Sequence, residues 1–156
     1  MHALLDVSLA TRGVETIRFA DGSTISKTQI IAAVIHSGSP FSDSITGSSG
    51  ADTIRGNGGV DQLIGGNGSD TYIWARGDGS DTVDDRGTSG GAADRLVLSG
   101  IVPADITMRV QDNNVILAIA ASAPGLSDGG EIKLLESLVT NGQRGIESIE
   151  FADGSL

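Results

Sequence analysis

A chain of 156 residues is long enough for one ordinary domain or two small ones, and with 38% apolar but only 3% aromatic residues its core has to come from Ile, Leu and Val. Twenty acidic against ten basic residues give a net charge of −10, which excludes nucleic acid and anionic membrane surfaces as partners and suits cations. The lack of cysteine excludes disulfides and thiolate metal sites, and no run of 18 apolar residues marks a membrane span.

The N-terminus, "MHALLDVSLATRG", lacks the charged stretch and apolar core of a cleaved signal. That fits export by a route reading no N-terminal peptide, or a segment cut from something larger. "GVETIRFADGS" at 13–23 returns as "GIESIEFADGS" at 145–155, an offset of 132 residues, and points to tandem modules. "ETIRF" and "ESIEF" alternate polar and apolar residues as half-buried strands do, and "ADGS" after each reads as a turn. Ser26 is placed to cap a short helix over 27–35 that Gly38 helps to end, so residues 1–37 read as the end of a preceding module plus a capping helix. Residues 38–99 form a second segment. In the third, 100–156, "ITMRVQ" and "NVILAIAA" around "DNN" read as a hairpin, with further strands near 131–136 and 146–151.

The middle segment carries a nine-residue pattern: "GSSGADTIR" (47–55), "GNGGVDQLI" (56–64), "GGNGSDTYI" (65–73) and, after Trp74 and Ala75, "RGDGSDTVD" (76–84). The fourth position is Gly50, Gly59, Gly68 and Gly79; the sixth is Asp52, Asp61, Asp70 and Asp81; the eighth is Ile54, Leu63, Tyr72 and Val83. A weaker unit precedes them, with Asp43 and Ile45 in register and Phe41 where glycine is due. A glycine-rich loop can enter left-handed backbone regions and turn its carbonyls towards one point. The three residues after it make a short strand with one inward apolar side chain. Two units then make a turn of about eighteen residues, and successive turns stack as parallel strands, so that Asp52 faces Asp70 on one edge and Asp61 faces Asp81 on the other, with Asp43 beyond.

Facing carboxylates repel in a partly dry site, and a hard divalent cation reverses that sign. Residues 38–99 hold nine Asp and four Arg with no Glu or Lys, a net of −5. Flexible, all-oxygen coordination suits Ca²⁺; Mg²⁺ wants a tighter octahedron, and zinc would want His or Cys. One aliphatic side chain per strand buries too little to offset backbone ordering. Calcium is therefore expected to organise the segment.

The pattern resembles the haemolysin-type calcium-binding nonapeptide repeat of RTX proteins, GGxGxDxUx with U apolar, which "GGNGSDTYI" fits at every position. "DTYIWARGDGSDTV" resembles the step from repeats into closing strands, and the "FADGS" ends resemble segments that flank such repeats. The resemblance implies an all-β protein: a short parallel β-roll binding two or three Ca²⁺, with a capping helix and mostly antiparallel flanking strands. It implies carboxylate ligands at Asp52, Asp61, Asp70 and Asp81, with Asp43 as a further one, and backbone carbonyl ligands at Ser49, Gly50, Gly58, Gly59, Asn67, Gly68 and Gly79. Departures are Arg76 for the first glycine, Ser48 and Asn57 for the second, and the Trp74-Ala75 break. Asp94 keeps an apolar residue two positions on but lacks the loop spacing.

Other features have plainer readings. Asp21 and Asp153 are expected as turn residues, His2 and His36 as isolated surface residues, and Asp84 and Asp85 as a solvated acidic run. The "RGD" at 76–78 sits inside a loop of the repeat rather than on a display tip, and "DGGEIKLLE" lacks the alternating ligands of an EF-hand. No paired nucleophile and base is visible, so no catalysis is expected. By resemblance, the chain is a non-enzymatic calcium-binding module of a larger secreted or cell-surface RTX protein, passing type I secretion machinery unfolded and folding outside. Extracellular calcium modules bind at roughly 10⁻⁴–10⁻³ M, which suits such a switch. The alternatives are an adhesive or carbohydrate-binding module of a large repeat-built adhesin, with tandem neighbours, and the non-catalytic tail of a secreted hydrolase.

Overall fold

The computed structural model describes residues 16–27, 29, 35–87, 93–138, 145–151 and 154. The chain divides into two compact units, Met1–Val34 and Ile35–Leu156.

In the first unit the alternating "ETIRF" stretch forms β1 (Thr16–Arg18), antiparallel to β2 (Thr24–Ser26) with Ile17 opposite Ile25. Between them Gly22 takes a φ of 87°, and its N–H donates to the Phe19 carbonyl at 3.0 Å. Asp21 accepts from the Ser23 N–H and hydroxyl, which makes it a turn residue; Asp153 lies outside the described residues. Ser26 and Gln29 make a reciprocal pair: Gln29 Oε1 accepts from the Ser26 N–H at 2.9 Å, and the Gln29 N–H donates to Ser26 Oγ at 3.3 Å. That is the bonding of a helix N-terminus. The helix expected over 27–35 otherwise falls outside the described residues, except that Ile35 already belongs to a strand.

In the second unit the strands are dealt alternately to two sheets. One sheet holds β3 (Ile35–Ser37), β5 (Thr53–Arg55), β7 (Thr71–Ala75), β9 (Arg95–Ser99) and β13 (Ser148–Phe151), all parallel. The other holds β4 (Ser44–Thr46), β6 (Gln62–Ile64), β8 (Asp81–Val83) and β12 (Gly130–Leu134) in parallel, and continues antiparallel through β11 (Asn114–Ile119) and β10 (Ile106–Gln111). Thr53 lies opposite Thr71 and Ser44 opposite Gln62, each a shift of 18 residues, or two nine-residue units. Past Trp74-Ala75 the shift becomes 20, with Gln62 opposite Thr82. Two residues are one full strand period, so the insertion lengthens β7 without turning it over, and Trp74 follows Tyr72 into the interior at 2% exposure.

Each three-residue repeat strand points one apolar side chain inward. These form two columns, Ile54–Tyr72–Leu96 in one sheet and Leu63–Val83–Leu134 in the other, all buried. Beyond the repeats Leu98, Ile101, Leu117, Ile119 and Ile132 enlarge the same core. The closing strands differ from the mostly antiparallel expectation. Only β10–β11 and β11–β12 pair antiparallel, whereas β12 and β13 extend the parallel ladders of β8 and β9. The reason is side-chain phase: Leu134 falls in line with Val83, and Ile149 with Leu96. The β10–β11 hairpin turns at Asp112 and Asn113, with Asp112 at φ 56°.

Candidate metal centre

Every repeat loop delivers its sixth residue to the start of a strand, so the aspartates stack one turn apart as the strands do. Asp52, Asp61, Asp70 and Asp81 are all buried, at 0–4% exposure. In Asp61, Asp70 and Asp81 one oxygen accepts from a backbone N–H of the turn before. Asp70 Oδ1 accepts from the Asp52 N–H at 2.8 Å, Asp61 Oδ1 from the Asp43 N–H at 2.8 Å, and Asp81 Oδ1 from the Asp61 N–H at 3.0 Å. The first column runs further than the repeats: Asp94 Oδ1 accepts from the Asp70 N–H at 2.7 Å, and Glu147 Oε2 from the Asp94 N–H at 2.6 Å. The structure thus stacks Asp52 with Asp70, and Asp43 with Asp61 and Asp81, on two separate edges.

The second carboxylate oxygen separates two kinds of loop. In the loops 38–43 and 47–52 the second residue is serine. Ser39 donates its N–H to Asp43 Oδ2 at 2.6 Å and its hydroxyl at 2.8 Å; Ser48 does the same to Asp52 Oδ2, at 2.6 and 2.9 Å. In the other three loops the second residue is Asn57, Gly66 or Gly77, with φ of 64°, 101° and 87°, and the fourth-position glycine is also left-handed. There Asp61 Oδ2, Asp70 Oδ2 and Asp81 Oδ2 are buried with no hydrogen-bond partner among the described residues. An unsatisfied buried polar atom costs about 1–3 kcal/mol.

Electrostatics follow the same division. Hydrogen bonds from the Ser39 N–H and hydroxyl pull the Asp43 carboxyl below the usual carboxylate range. Burial raises Asp61, and raises Asp70 to about 6 and Asp81 to about 7, against the opposing hydrogen bonds from the backbone of Asp43, Asp52 and Asp61 respectively. Buried, backbone-fixed carboxylates with oxygens that no described residue serves make a hard, oxygen-rich set, which is compatible with Ca²⁺.

The candidate carbonyl residues lie in these loops. Ser49 is exposed, while Gly50, Gly58, Gly59, Asn67, Gly68 and Gly79 are half-buried. The loops stack closely: a Cβ on Gly68 would lie 2.5 Å from the Gly50 carbonyl oxygen, and one on Gly79 2.0 Å from that of Gly59. The Gly59 carbonyl also accepts from the Ser80 N–H at 3.1 Å.

Several residues take places that the sequence reading had not given them. Asp85 is buried at 3% exposure rather than solvated, its Oδ1 accepting from the Tyr72 hydroxyl at 3.0 Å; its neighbour Asp84 pairs with Arg86. Asp94 is buried in the Asp70 column, and Glu147 extends that column. His36 is not an isolated surface residue: it stands opposite Ile54, and its Nε2 lies 3.2 Å from Asp52 Oδ1. The Arg76-Gly77-Asp78 tripeptide is tied down. Asp78 is buried and pairs with Arg55, while Arg76 bonds Asp105 and the Ala120 carbonyl. A register count alone reveals Asp85, since it occupies the first position of the loop after β8; its burial comes from Tyr72, which reaches further than the aliphatic residues at equivalent positions.

Fold and site together define a class: short strands in parallel ladders, joined by glycine-rich loops that bury stacked aspartates. Residues 37–72 match the family model of the RTX calcium-binding nonapeptide repeat in four copies, so the chain carries RTX-type repeats over that span. The matched span includes the serine loops and ends at Tyr72, ahead of the Trp74-Ala75 insertion. No curated protein matches the chain. Among the described residues no helix is long and apolar enough to cross a membrane.

Proposed function

We propose that residues 35–156 are a calcium-dependent folding module, a short parallel β-roll, within a larger secreted protein. The observation that carries this reading is a coincidence: the three loops with left-handed second and fourth residues are also the three whose aspartates keep a buried oxygen without a donor. In this reading Asp61, Asp70 and Asp81 are the leading carboxylate ligands, Asp52 and Asp43 are secondary, and loop carbonyls at Gly50, Gly58, Gly59, Asn67, Gly68 and Gly79, with Ser49 at the rim, complete the coordination. Because the ion binds the folded state, its binding free energy adds to the stability of the fold. Where calcium is scarce, as in a cytosol, the block stays unfolded and able to thread a type I secretion channel; outside, calcium folds it. The role is structural, with no reaction assigned. The test is far-UV circular dichroism during a Ca²⁺ titration, with Mg²⁺ as control. A cooperative change to β structure with calcium alone supports the switch, and a spectrum already β in chelator and unmoved by calcium overturns it.

A second reading has its own support. The turn after β13 repeats the turn after β1: the Gly154 N–H donates to the Phe151 carbonyl at 3.0 Å with φ 79°, as Gly22 does to Phe19 at 3.0 Å with φ 87°. The same glycine hydrogen bond at both repeated ends favours one module of a tandem array, as in a large surface adhesin. Glycan-array binding that requires calcium would support the adhesive role; a blank array in calcium counts against it.

A further inference from the structure

Asp85 stands where the repeat normally has no side chain. Leu63 lies opposite Val83, so the place of Ile64 falls to Asp84 and that of Gly65 to Asp85, one turn on. At Gly65 itself an added Cβ would come within 2.3 Å of both Asp70 Oδ2 and the Tyr72 hydroxyl. The first position of these loops therefore looks into the space where the stacked carboxylates point. Asp85 fills that position with a third carboxylate.

Asp70, Asp85 and Asp94, all buried, bring one carboxylate oxygen each within 4.8 Å of one another. That spread fits oxygens gathered around one ion at the calcium distance of roughly 2.3–2.6 Å. Further hydrogen bonds hold the carboxylates in place: Asp70 Oδ1 accepts from the Asp52 N–H, Asp94 Oδ1 from the Asp70 N–H, and Asp85 Oδ1 from the Tyr72 hydroxyl, with Asp85 Oδ2 accepting a longer bond from the Gly87 N–H at 3.3 Å. Asp70 Oδ2, on a side chain with no exposed surface, has no partner and sits beside the Tyr72 hydroxyl that holds Asp85. The neighbouring arginines are committed elsewhere, Arg86 to Asp84 and Arg95 to Glu150.

We propose that Asp70, Asp85 and Asp94 form a three-carboxylate Ca²⁺ site, in which Asp85, outside the nonapeptide motif, is a direct ligand and Tyr72 its positioning residue. With one carboxylate more than a pair of facing loop aspartates supplies, this is the tightest calcium site of the block and fills first, since ligand charge tunes affinity. The inference rests on the calcium reading above and deepens it.

The test counts Ca²⁺ bound to the full chain by isothermal titration calorimetry, for the wild type, Asp85→Asn and Asp85→Gly. Asn keeps the shape and the acceptor for Tyr72 while removing the charge; Gly restores the residue that Gly47, Gly56 and Gly65 place at this position. Asp112→Asn, in the exposed hairpin turn, controls for net charge. Both Asp85 variants should lose the tightest equivalent, or weaken it by about tenfold or more, while Asp112→Asn matches the wild type. Variants that fold in calcium and bind the same number of ions with the same affinity as Asp112→Asn overturn the site. If the wild type takes up no calcium at all, the folding-module reading falls; if it binds and both Asp85 variants match it, only the three-carboxylate site falls.

Discussion

The serine loops (38–43 and 47–52) and the glycine loops (56–61, 65–70 and 76–81) share a nine-residue plan and a buried or half-buried aspartate, yet finish that aspartate differently. Serine at the second position closes its own carboxylate with two donors and keeps ordinary backbone angles. Asn57, Gly66 and Gly77 enter the left-handed region, offer no such hydroxyl, and leave an oxygen bare. The residue at the second position therefore separates loops whose aspartate is closed by serine from loops whose aspartate keeps an oxygen without a donor. In the calcium-dependent reading proposed above, the block joins a self-sufficient start to a dependent middle.

The largest effect should come from testing that division at a single repeat position. Gly79→Ala puts a Cβ 2.0 Å from the Gly59 carbonyl, at a φ of 96° that alanine adopts at a cost. Saturating calcium should not rescue it, and thermal unfolding should show a loss of roughly 3 kcal/mol or more. Gly50→Ala occupies the same repeat position in a serine loop, where the nearest atom to the new Cβ is Ser48 Oγ at 3.8 Å. It should be neutral to stabilising, by up to about 1 kcal/mol, through a less flexible unfolded chain. Equal losses in the two variants would erase the distinction.

Next come the carboxylates. Asp70→Ala should raise the calcium midpoint of folding by about tenfold or more, whereas Asp43→Ala, whose Oδ2 Ser39 already serves with two donors, should leave that midpoint within about twofold. A circular-dichroism titration reads both.

Protons give a further contrast. Without metal, Asp70 and Asp81 have folded values of about 6 and about 7, above the unfolded value of ~3.9. A raised carboxyl contributes stability in full below the unfolded value, and loses it as pH rises through the folded one. In chelator, β structure should therefore be greatest near pH 4 and fade between about pH 4 and 7. Asp43, lowered by Ser39, acts with the opposite sign, losing its contribution as pH falls through its folded value. Hydrogen exchange resolved by segment would separate the two: protection of 56–81 should rise on acidification in chelator, and protection of 38–43 should not.

Much of this was legible because the repeat is a ruler. Nine-residue spacing of Asp and an apolar residue two positions later predicts the 18-residue register seen at Thr53–Thr71 and Ser44–Gln62. What resisted reading was whatever depends on a contact arriving from another turn of the stack. Asp85 looked solvated because adjacent acidic residues usually are, and its burial depends on a Tyr72 hydroxyl arriving from another strand. His36 was missed because the apolar column normally excludes a polar ring, and Glu147 because its partner Asp94 lies 53 residues away. The parallel pairing of β12 and β13 is equally non-local, set by ladder edges that no short window of sequence contains.

The smallest predicted effect is the most discriminating. Ser48→Gly removes one hydroxyl, leaving the backbone N–H at position 48 as the donor to Asp52 Oδ2. A lost side-chain hydrogen bond contributes about 0.5–1.5 kcal/mol, so metal-free stability should fall by roughly that much. Removing the hydroxyl also makes this loop "GGSGAD", freer to adopt the left-handed second residue of its neighbours and to turn Asp52 Oδ2 towards an ion. Calcium should then restore the lost stability and more, making Ser48→Gly less stable than wild type in chelator and equal or better in saturating calcium. Paired melting curves decide it, the chelator arm taken near pH 4, where protonated Asp70 and Asp81 let the metal-free block fold. A variant weakened equally in both would show that the serine merely fills its loop, and the line between completed and dependent turns would have to be drawn elsewhere.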